Sequence, residues 1–346
     1  MIEKILPLIL AIIISFIMTP IVRKLAFKIG AIDIPKDNKK VHKEPMPLIG
    51  GLAIYVSVII SALIFVPLTR EIIAILLGAT VILISGIIDD KGNISPSLKV
   101  LFQIIAAIIL VAGGVRIEFI TNPLASEYAT LNLEILTIPA TMIWIVVITN
   151  AINLIDGLDG LAAGVTAISS FCFMLVGISL GHIHIAILAM IVAGACLGFL
   201  PYNFNPAKIF MGDTGALVLG YMLAVITIEG VMKSVAAIAV VVPIIILGVP
   251  IFDTTFAIFR RLKSGRSITI GDRGHLHHKL LDKGYSQKKT VLILYGISTV
   301  FGIFAVLVTR LNTRFSVYFS IAMMILAFAY GLKAIMSGSK DNEELK

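Results

Sequence analysis

Six aspartates in a weakly charged chain stand at or just inside the ends of long apolar segments: Asp89, Asp90, Asp156, Asp159, Asp213 and Asp253. A carboxylate there is costly unless it faces a polar cavity or a cation. Any one of them reads equally well as a helix cap. Six collected hard-oxygen groups, however, suit Mg²⁺, which takes one or two carboxylates plus substrate phosphates. Five of the six lie in polar, glycine-rich loops: Ile88-Asp89-Asp90-Lys91-Gly92-Asn93, the run from Asn150 to Gly160, and Phe210-Met211-Gly212-Asp213-Thr214-Gly215. Glycine lets backbone approach a phosphate closely, and a following helix offers free N–H groups to an anion. Asn153, Asp156 and Asp159 are spaced by three, so an early helical turn would stack them on one face. Segment 259–289 supplies the opposite charge, with Arg260, Arg261, Lys263 and Arg266 ahead of Arg273, His275, His277 and His278. Three histidines without Cys or Glu at zinc-type spacing support a metal weakly. They suit a phosphate or a proton relay near neutral pH better, with a solvated basic loop as the plain alternative. His42, among Lys40, Lys43 and Glu44, is ambiguous.

The elements that must carry these groups follow from composition. Of 346 residues, 58% are hydrophobic and 14% charged, with mean hydropathy +1.04. Soluble domains are about 25% charged, so a water-soluble fold is excluded. The net charge of +8 sits in a chain dominated by Ile, Leu, Val and Ala, which fits neither disorder nor nucleic-acid binding. The expected fold is all-α, a polytopic integral membrane bundle of about 11 transmembrane helices. The spans fall near 3–22, 48–68, 71–88, 98–115, 135–152, 158–180, 183–200, 214–229, 234–258, 290–309 and 315–336, the ninth broken or bent around Pro243, Gly248 and Pro250. No separate soluble domain fits, so residues 1–346 read as one transmembrane domain, with catalytic loops near 23–47, 89–98, 150–159, 201–214 and 259–289.

Cytoplasmic loops carry the excess of Lys and Arg. One side of this layout collects 22 basic residues and the other six. The first is therefore expected to be cytoplasmic, with the N-terminus outside and the C-terminus inside. All six aspartates fall on that cytoplasmic side, and the whole net charge of +8 with them. The first span reads as retained, because no A-x-A cleavage signal follows it. Cys172 and Cys196 lie in apolar segments without spaced partners and suggest neither a disulfide framework nor a metal site.

In order along the chain, Asp33-Ile34-Pro35, the run Val41 to Gly51, Asp89-Asp90 with Ser95-Pro96-Ser97-Leu98-Lys99, the loop Asn153 to Gly160, Phe210 to Gly215, and His275-Leu276-His277-His278 resemble the polyprenyl-phosphate N-acetylhexosamine-1-phosphate transferase family. That resemblance implies an enzyme of the cell (inner) membrane with its site on the cytoplasmic face. It implies transfer of N-acetylglucosamine-1-phosphate from UDP-GlcNAc to undecaprenyl phosphate, giving a polyprenyl-diphosphate-sugar and UMP, with Mg²⁺ or Mn²⁺. The partners are then UDP-GlcNAc, undecaprenyl phosphate and membrane lipid, and a homodimer is common in enzymes of this kind. The chemistry agrees, since two anions must meet and need cations to do so.

Carried over by resemblance, Asp213 is the principal metal ligand, with Asn153 and Asp156 in the metal and diphosphate region. One of Asp89 and Asp90 takes the proton of the lipid phosphate or otherwise sets up its attack, and Lys99 holds phosphate. Asp159 and Phe210 recognise uridine by hydrogen bonding and stacking. Arg273, His275, His277 and His278 bind the donor's diphosphate and sugar. Asn93 stands where a third aspartate is usual, and Leu48 where a basic residue is usual. His-Leu-His-His followed by Lys279-Leu280 resembles the N-acetylglucosamine branch rather than the phospho-muramoyl-pentapeptide branch, which remains the alternative substrate class. A membrane transporter of an anionic metabolite is the rival class, but it would place polar groups near the bilayer midplane, often with internal repeats.

Overall fold

A computed structural model of the chain describes residues 5–34, 45–121, 130–233, 239–263, 265, 274–311, 318, 322 and 325. Among these, eight helices are long and apolar enough to cross a membrane. They are α1 (Leu6–Ile29), α3 (Arg70–Gly92), α4 (Pro96–Gly113), α5 (Thr137–Ile155, led in by a 3₁₀ turn), α6 (Leu161–Ser179), α7 (Ile183–Asn203), α8 (Gly212–Thr227, continued by a π turn to Met232) and α12 (Gln287–Leu311). The chain is an integral membrane helical protein. Two short antiparallel pairs, β1 (Ile32–Asp33) with β2 (Met46–Pro47) and β3 (Phe119–Thr121) with β4 (Thr130–Asn132), are the strands among the described residues.

One of the eleven expected spans comes out short and the ninth is broken as expected, and proline explains both. The second is α2 (Gly51–Phe65), only 15 residues. At 1.5 Å per residue that is about 22 Å, short of a bilayer core of about 30 Å. It stops because Val66, which precedes Pro67, is extended with ψ 129°, as the residue before a proline prefers. The ninth breaks at Leu247 into α9 (Val241–Ile246) and α10 (Gly248–Lys263), where Pro250 has no N–H to give to the residue four back. The eleventh lies almost wholly outside the described residues. The small helix α11 (Leu276–Asp282) completes the set.

The surface of α1 shows how such a chain packs. It buries Ala11, Ser15, Thr19 and Val22 and exposes Ile9, Ile13, Phe16 and Ile17. Small residues face the bundle and large apolar ones face outward, as in a lipid-solvated helix. The centre is α8, every residue of which from Thr214 to Thr227 is buried. Its first turn meets α2 and α3 with almost no side chain between them. A Cβ on Gly51 would collide with the backbone of Gly215, and one on Gly86 with that of Thr214. These two glycines let the ends of α2 and α3 sit directly against the start of α8, where the polar loops gather.

Candidate active site

A buried helix start leaves N–H groups that water does not reach. In α8 they are satisfied from a distant part of the chain. Asp90 Oδ1 accepts from Asp213 N (2.8 Å), and Asp90 Oδ2 accepts from Thr214 N (3.0 Å) and Thr214 Oγ1 (2.6 Å). Gly212 takes φ 68° directly beside this carboxylate. The segment before α8 is clamped by the stretch from the end of β2 to the start of α2: Phe210 N donates to Pro47 O (2.9 Å), Gly50 N to Phe210 O (3.0 Å) and Gly51 N to Met211 O (2.9 Å). Three segments far apart in sequence thus fix the position of Asp213.

Asp213 in turn joins a charged cluster. Lys99 Nζ lies 2.6 Å from Asp213 Oδ2 and 2.7 Å from Asp89 Oδ2. Asp89 Oδ1 also accepts from Ile94 N (2.9 Å), and Asn153 Nδ2 donates to Asp213 Oδ1 (2.9 Å). Carboxylate oxygens of Asp89, Asp90 and Asp213 lie within 4.8 Å of one another. The cleft around them has a volume of about 550 Å³ and is lined by Asp33, Asp89, Asp90, Asn93, Asn153, Asp156, Asp159, Asn203, Phe210, Asp213 and Gln287, among others. That volume fits a drug-sized or nucleotide-sized ligand.

Asp156 is the acid the protein leaves uncompensated. Its carboxyl makes no hydrogen bond or ion pair to any described residue, and burial, followed by the negative charges of Asp213, Asp90 and Asp159, pushes it up to about 8. Such a group calls for a cation. Asp89, Asp90 and Asp213 are close enough to share a divalent cation, and Asp156 and Asn153 line the same cleft.

The loop after α5 is not the helical stack expected from its three-residue spacing. The helix ends at Ile155, Asp156 caps it with ψ 45°, and Gly160 at φ 81° begins the entry into α6. Asp156 and Asp159 reach the cleft from a turn and Asn153 from the last turn of α5. The turn is held by Asn203, whose Oδ1 accepts from Gly160 N (3.1 Å) and whose Nδ2 donates to Ile209 O (3.0 Å), and by Tyr295 Oη, which donates to Gly160 O (2.5 Å). Asp159 Oδ2 accepts from Ala207 N (3.1 Å) and Asn205 Nδ2 (2.9 Å), and the same Nδ2 donates to Gln287 Oε1 (2.7 Å).

The histidine loop stands behind the cleft wall rather than in it. His275 Nδ1 lies 2.7 Å from Asp253 Oδ2, and Asp253 Oδ1 accepts from Leu276 N (2.7 Å), so Asp253 anchors the start of α11. His275 and His277 are buried, with His275, His277 and His278 rings in mutual contact at 4.3–6.4 Å. A Cβ on Gly157 would lie 2.5 Å from His277 Nε2, so His277 supports the Asp156 turn from outside. Burial, followed by neighbouring His278, lowers His277 to about 4, and it stays neutral. Arg273 and His42 lie outside the described residues.

Asp89, Asp90, Lys99, Asn153, Asp156, Asp159, Phe210 and Asp213 therefore meet at one end of the bundle. Asn203, Asn205 and Gln287 had escaped the sequence reading. Two asparagines in Tyr202-Asn203-Phe204-Asn205-Pro206, directly after an apolar span, were the available signal; Gln287 had none.

A model of glycosyl transferase family 4 matches residues 72–231. Over 339 residues the chain is 43% identical to a protein of Bacillus subtilis (strain 168) named as a probable undecaprenyl-phosphate N-acetylglucosaminyl 1-phosphate transferase, covering 95% of this chain and 94% of that one. It is 36% identical over 313 residues to a decaprenyl-phosphate N-acetylglucosaminephosphotransferase of Mycolicibacterium smegmatis, covering 82% and 77%. A phospho-N-acetylmuramoyl-pentapeptide-transferase of Halalkalibacterium halodurans is 31% identical over 322 residues, covering 87% and 95%.

Proposed function

The chain belongs to glycosyl transferase family 4, and from that membership we propose that it transfers N-acetylglucosamine-1-phosphate from UDP-GlcNAc to a polyprenyl phosphate, undecaprenyl phosphate in particular, releasing UMP. The observation that carries this reading is the meeting of acids from α3, the α5–α6 turn and α8 around Lys99 in one nucleotide-sized cleft at the ends of membrane helices. A lipid phosphate arrives along the bilayer and a nucleotide-sugar from the water, so their reaction needs a site at that boundary.

In the proposed reaction an oxygen of the lipid phosphate forms a bond to the β-phosphorus of the donor. The bond from that phosphorus to the bridging oxygen breaks, and UMP leaves with the electron pair. Asp213, Asn153 and Asp156 hold Mg²⁺ or Mn²⁺, which when bound offsets the charge of the diphosphate. Lys99 is the protein's own cation at the same point. Asp89, with one hydrogen bond on each oxygen, is better placed than Asp90 to receive a proton from the acceptor, because Asp90 spends its two oxygens on three donors at the start of α8. Asp159 and Phe210 line the end of the cleft that would take the uridine. The charge partition of the sequence supports a cytoplasmic site with the N-terminus outside, in one transmembrane domain.

Purified protein with Mg²⁺ and undecaprenyl phosphate is offered UDP-GlcNAc, UDP-GalNAc or UDP-MurNAc-pentapeptide, and UMP is measured. Release from UDP-GlcNAc is expected, and Asp213→Asn abolishes it in folded protein. Release only from UDP-MurNAc-pentapeptide reassigns the sugar; release from none refutes the function. A cysteine at Ser286 labelled by impermeant reagent from outside the cell overturns the topology.

A further inference from the structure

Gln287 is the first residue of α12 and lines the cleft beside Asp159. One constraint fixes how these side chains face. A carboxylate only accepts, so Asn205 must turn Nδ2 toward Asp159 Oδ2. The same Nδ2, 2.7 Å from Gln287, requires that the Gln287 atom facing it be Oε1. Gln287 Nε2, with its two N–H donors, is thereby turned away from Asn205 and bonds to no described residue. Asp159 Oδ1 likewise bonds to no described residue, since both of that carboxylate's hydrogen bonds end on Oδ2. An open acceptor and an open donor thus stand side by side on the cleft wall, tied together through one amide nitrogen.

The other amides nearby do not offer this pair. Asn203 spends Oδ1 on Gly160 N and Nδ2 on Ile209 O, and Asn153 Nδ2 is given to Asp213. An acceptor next to a donor is the complement of an imide edge, a ring N–H flanked by carbonyl oxygens, and uracil presents that edge. Cytosine reverses it, with a ring nitrogen that accepts and an amino group that donates. On the edge formed by N3 and the 4-position both contacts would then set like against like, and a buried polar pair left unmatched is where large discrimination arises.

We propose that Gln287 is a specificity-determining residue that donates from Nε2 to the O4 carbonyl of the donor's base while Asp159 accepts from the adjacent N3–H, so that the pair selects uracil over cytosine. The inference rests on the nucleotide-sugar reading above and deepens it.

The test is the binding of UMP and CMP to the full chain in detergent with Mg²⁺, by calorimetry. The ratio of the two affinities is the readout, because the shared ribose phosphate and any change in cleft charge cancel from it. Wild type is expected to prefer UMP. Gln287→Met, with neither donor nor acceptor, should lower the preference by about tenfold or more. Gln287→Glu keeps an oxygen to accept from Asn205 but removes the donor, and it should lose the preference at least as fully. A preference intact in Gln287→Glu and lost in Gln287→Met would mean that Gln287 only buttresses Asn205, and would overturn the proposal, as would a preference intact in both. If Gln287→Met does not fold, Gln287→Glu alone decides. With UDP-GlcNAc, Gln287→Met should raise KM and leave kcat within about twofold, the signature of lost uniform binding. A wild type that prefers UMP, with the preference lost in both variants, but that turns over no UDP-sugar leaves the Gln287 assignment standing and refutes the transfer reaction. One that binds both nucleotides equally refutes the assignment whatever the turnover.

Discussion

Replacing Asp90 with asparagine separates a residue that holds the site from one that reacts in it. The change keeps size and shape but converts one acceptor oxygen into an NH₂ donor and removes the charge. Oδ1 serves Asp213 N, and Oδ2 serves both donors of Thr214, so whichever way the amide turns, an N–H at the start of α8 faces an NH₂. The better orientation keeps oxygen on Thr214 and abandons Asp213 N. Thr214 is fully buried, so its donors have no water to turn to and keep the oxygen, and the bond given up is the one at half-buried Asp213. Losing one charge-assisted bond costs about 1.5–3 kcal/mol, and losing the charge near the helix N-terminus adds about 0.5 kcal/mol. The sum, roughly 2–4 kcal/mol, corresponds to a fall in Tm of roughly 4–16 °C at about 2–4 °C per kcal/mol. The assay is thermal unfolding in detergent beside UMP release well below the transition. Thr214→Val, which removes the Oγ1 donor, should couple to Asp90→Asn by about 1 kcal/mol in a double-mutant cycle. Lost turnover with an unchanged Tm would refute the capping argument and return Asp90 to the chemistry.

Two further outcomes follow from the same geometry. Lys99→Met strips the cation bridging Asp89 and Asp213, so Tm without metal should fall and added Mg²⁺ should restore more than it adds to wild type, with turnover down by about 100-fold or more; an Mg²⁺ shift no larger than wild type would contradict this. His277 is held neutral down to about 4 when folded, against an ordinary 6.5, so between those values the unfolded chain binds a proton that the folded chain refuses. Stability should therefore fall as pH drops from about 6.5 to about 4, by roughly 2–3 kcal/mol, and His277→Gln should flatten that part of the Tm–pH curve; an unchanged slope would show that His277 titrates normally.

Residue type and spacing made the acids, the glycine-rich loops and most of the spans legible. Apolar length alone identifies α1, and Asp213 beside two glycines marks a helix start. What composition cannot carry is which distant group serves which. Asp90 looks like half of an acidic pair, and only the approach of α3 to α8 turns it into the cap of another helix. The three-residue spacing of Asn153, Asp156 and Asp159 suggested a stack because that spacing matches helical phase. The helix ends at Ile155, Asp156 leaves it with ψ 45°, and the acids converge through a turn instead. The histidines advertised a substrate loop by charge. Burial of His275 and His277 against Asp253 and Gly157 makes those two side chains supports of the turn that bears Asp156.

The position of the proposed metal ligands is set by helix packing within the membrane more than by the loops that carry them. Because α8 is buried from Thr214 onward, the N–H groups of its first turn find partners inside the protein. Asp90, reaching from α3, accepts from Asp213 N and Thr214 N, and it reaches because Gly51 and Gly86 remove the side chains that would hold the helices apart. The same contact leaves Asp213 one residue into the helix, pinned through its backbone and with its carboxylate turned to Lys99 and Asn153. A cleft crowded with acids would ordinarily spread by repulsion. Here the bonds that would have to break for it to spread are those that satisfy a buried helix end. The bundle can therefore hold Asp156 uncompensated in the protein alone, which leaves its charge to be met by what binds.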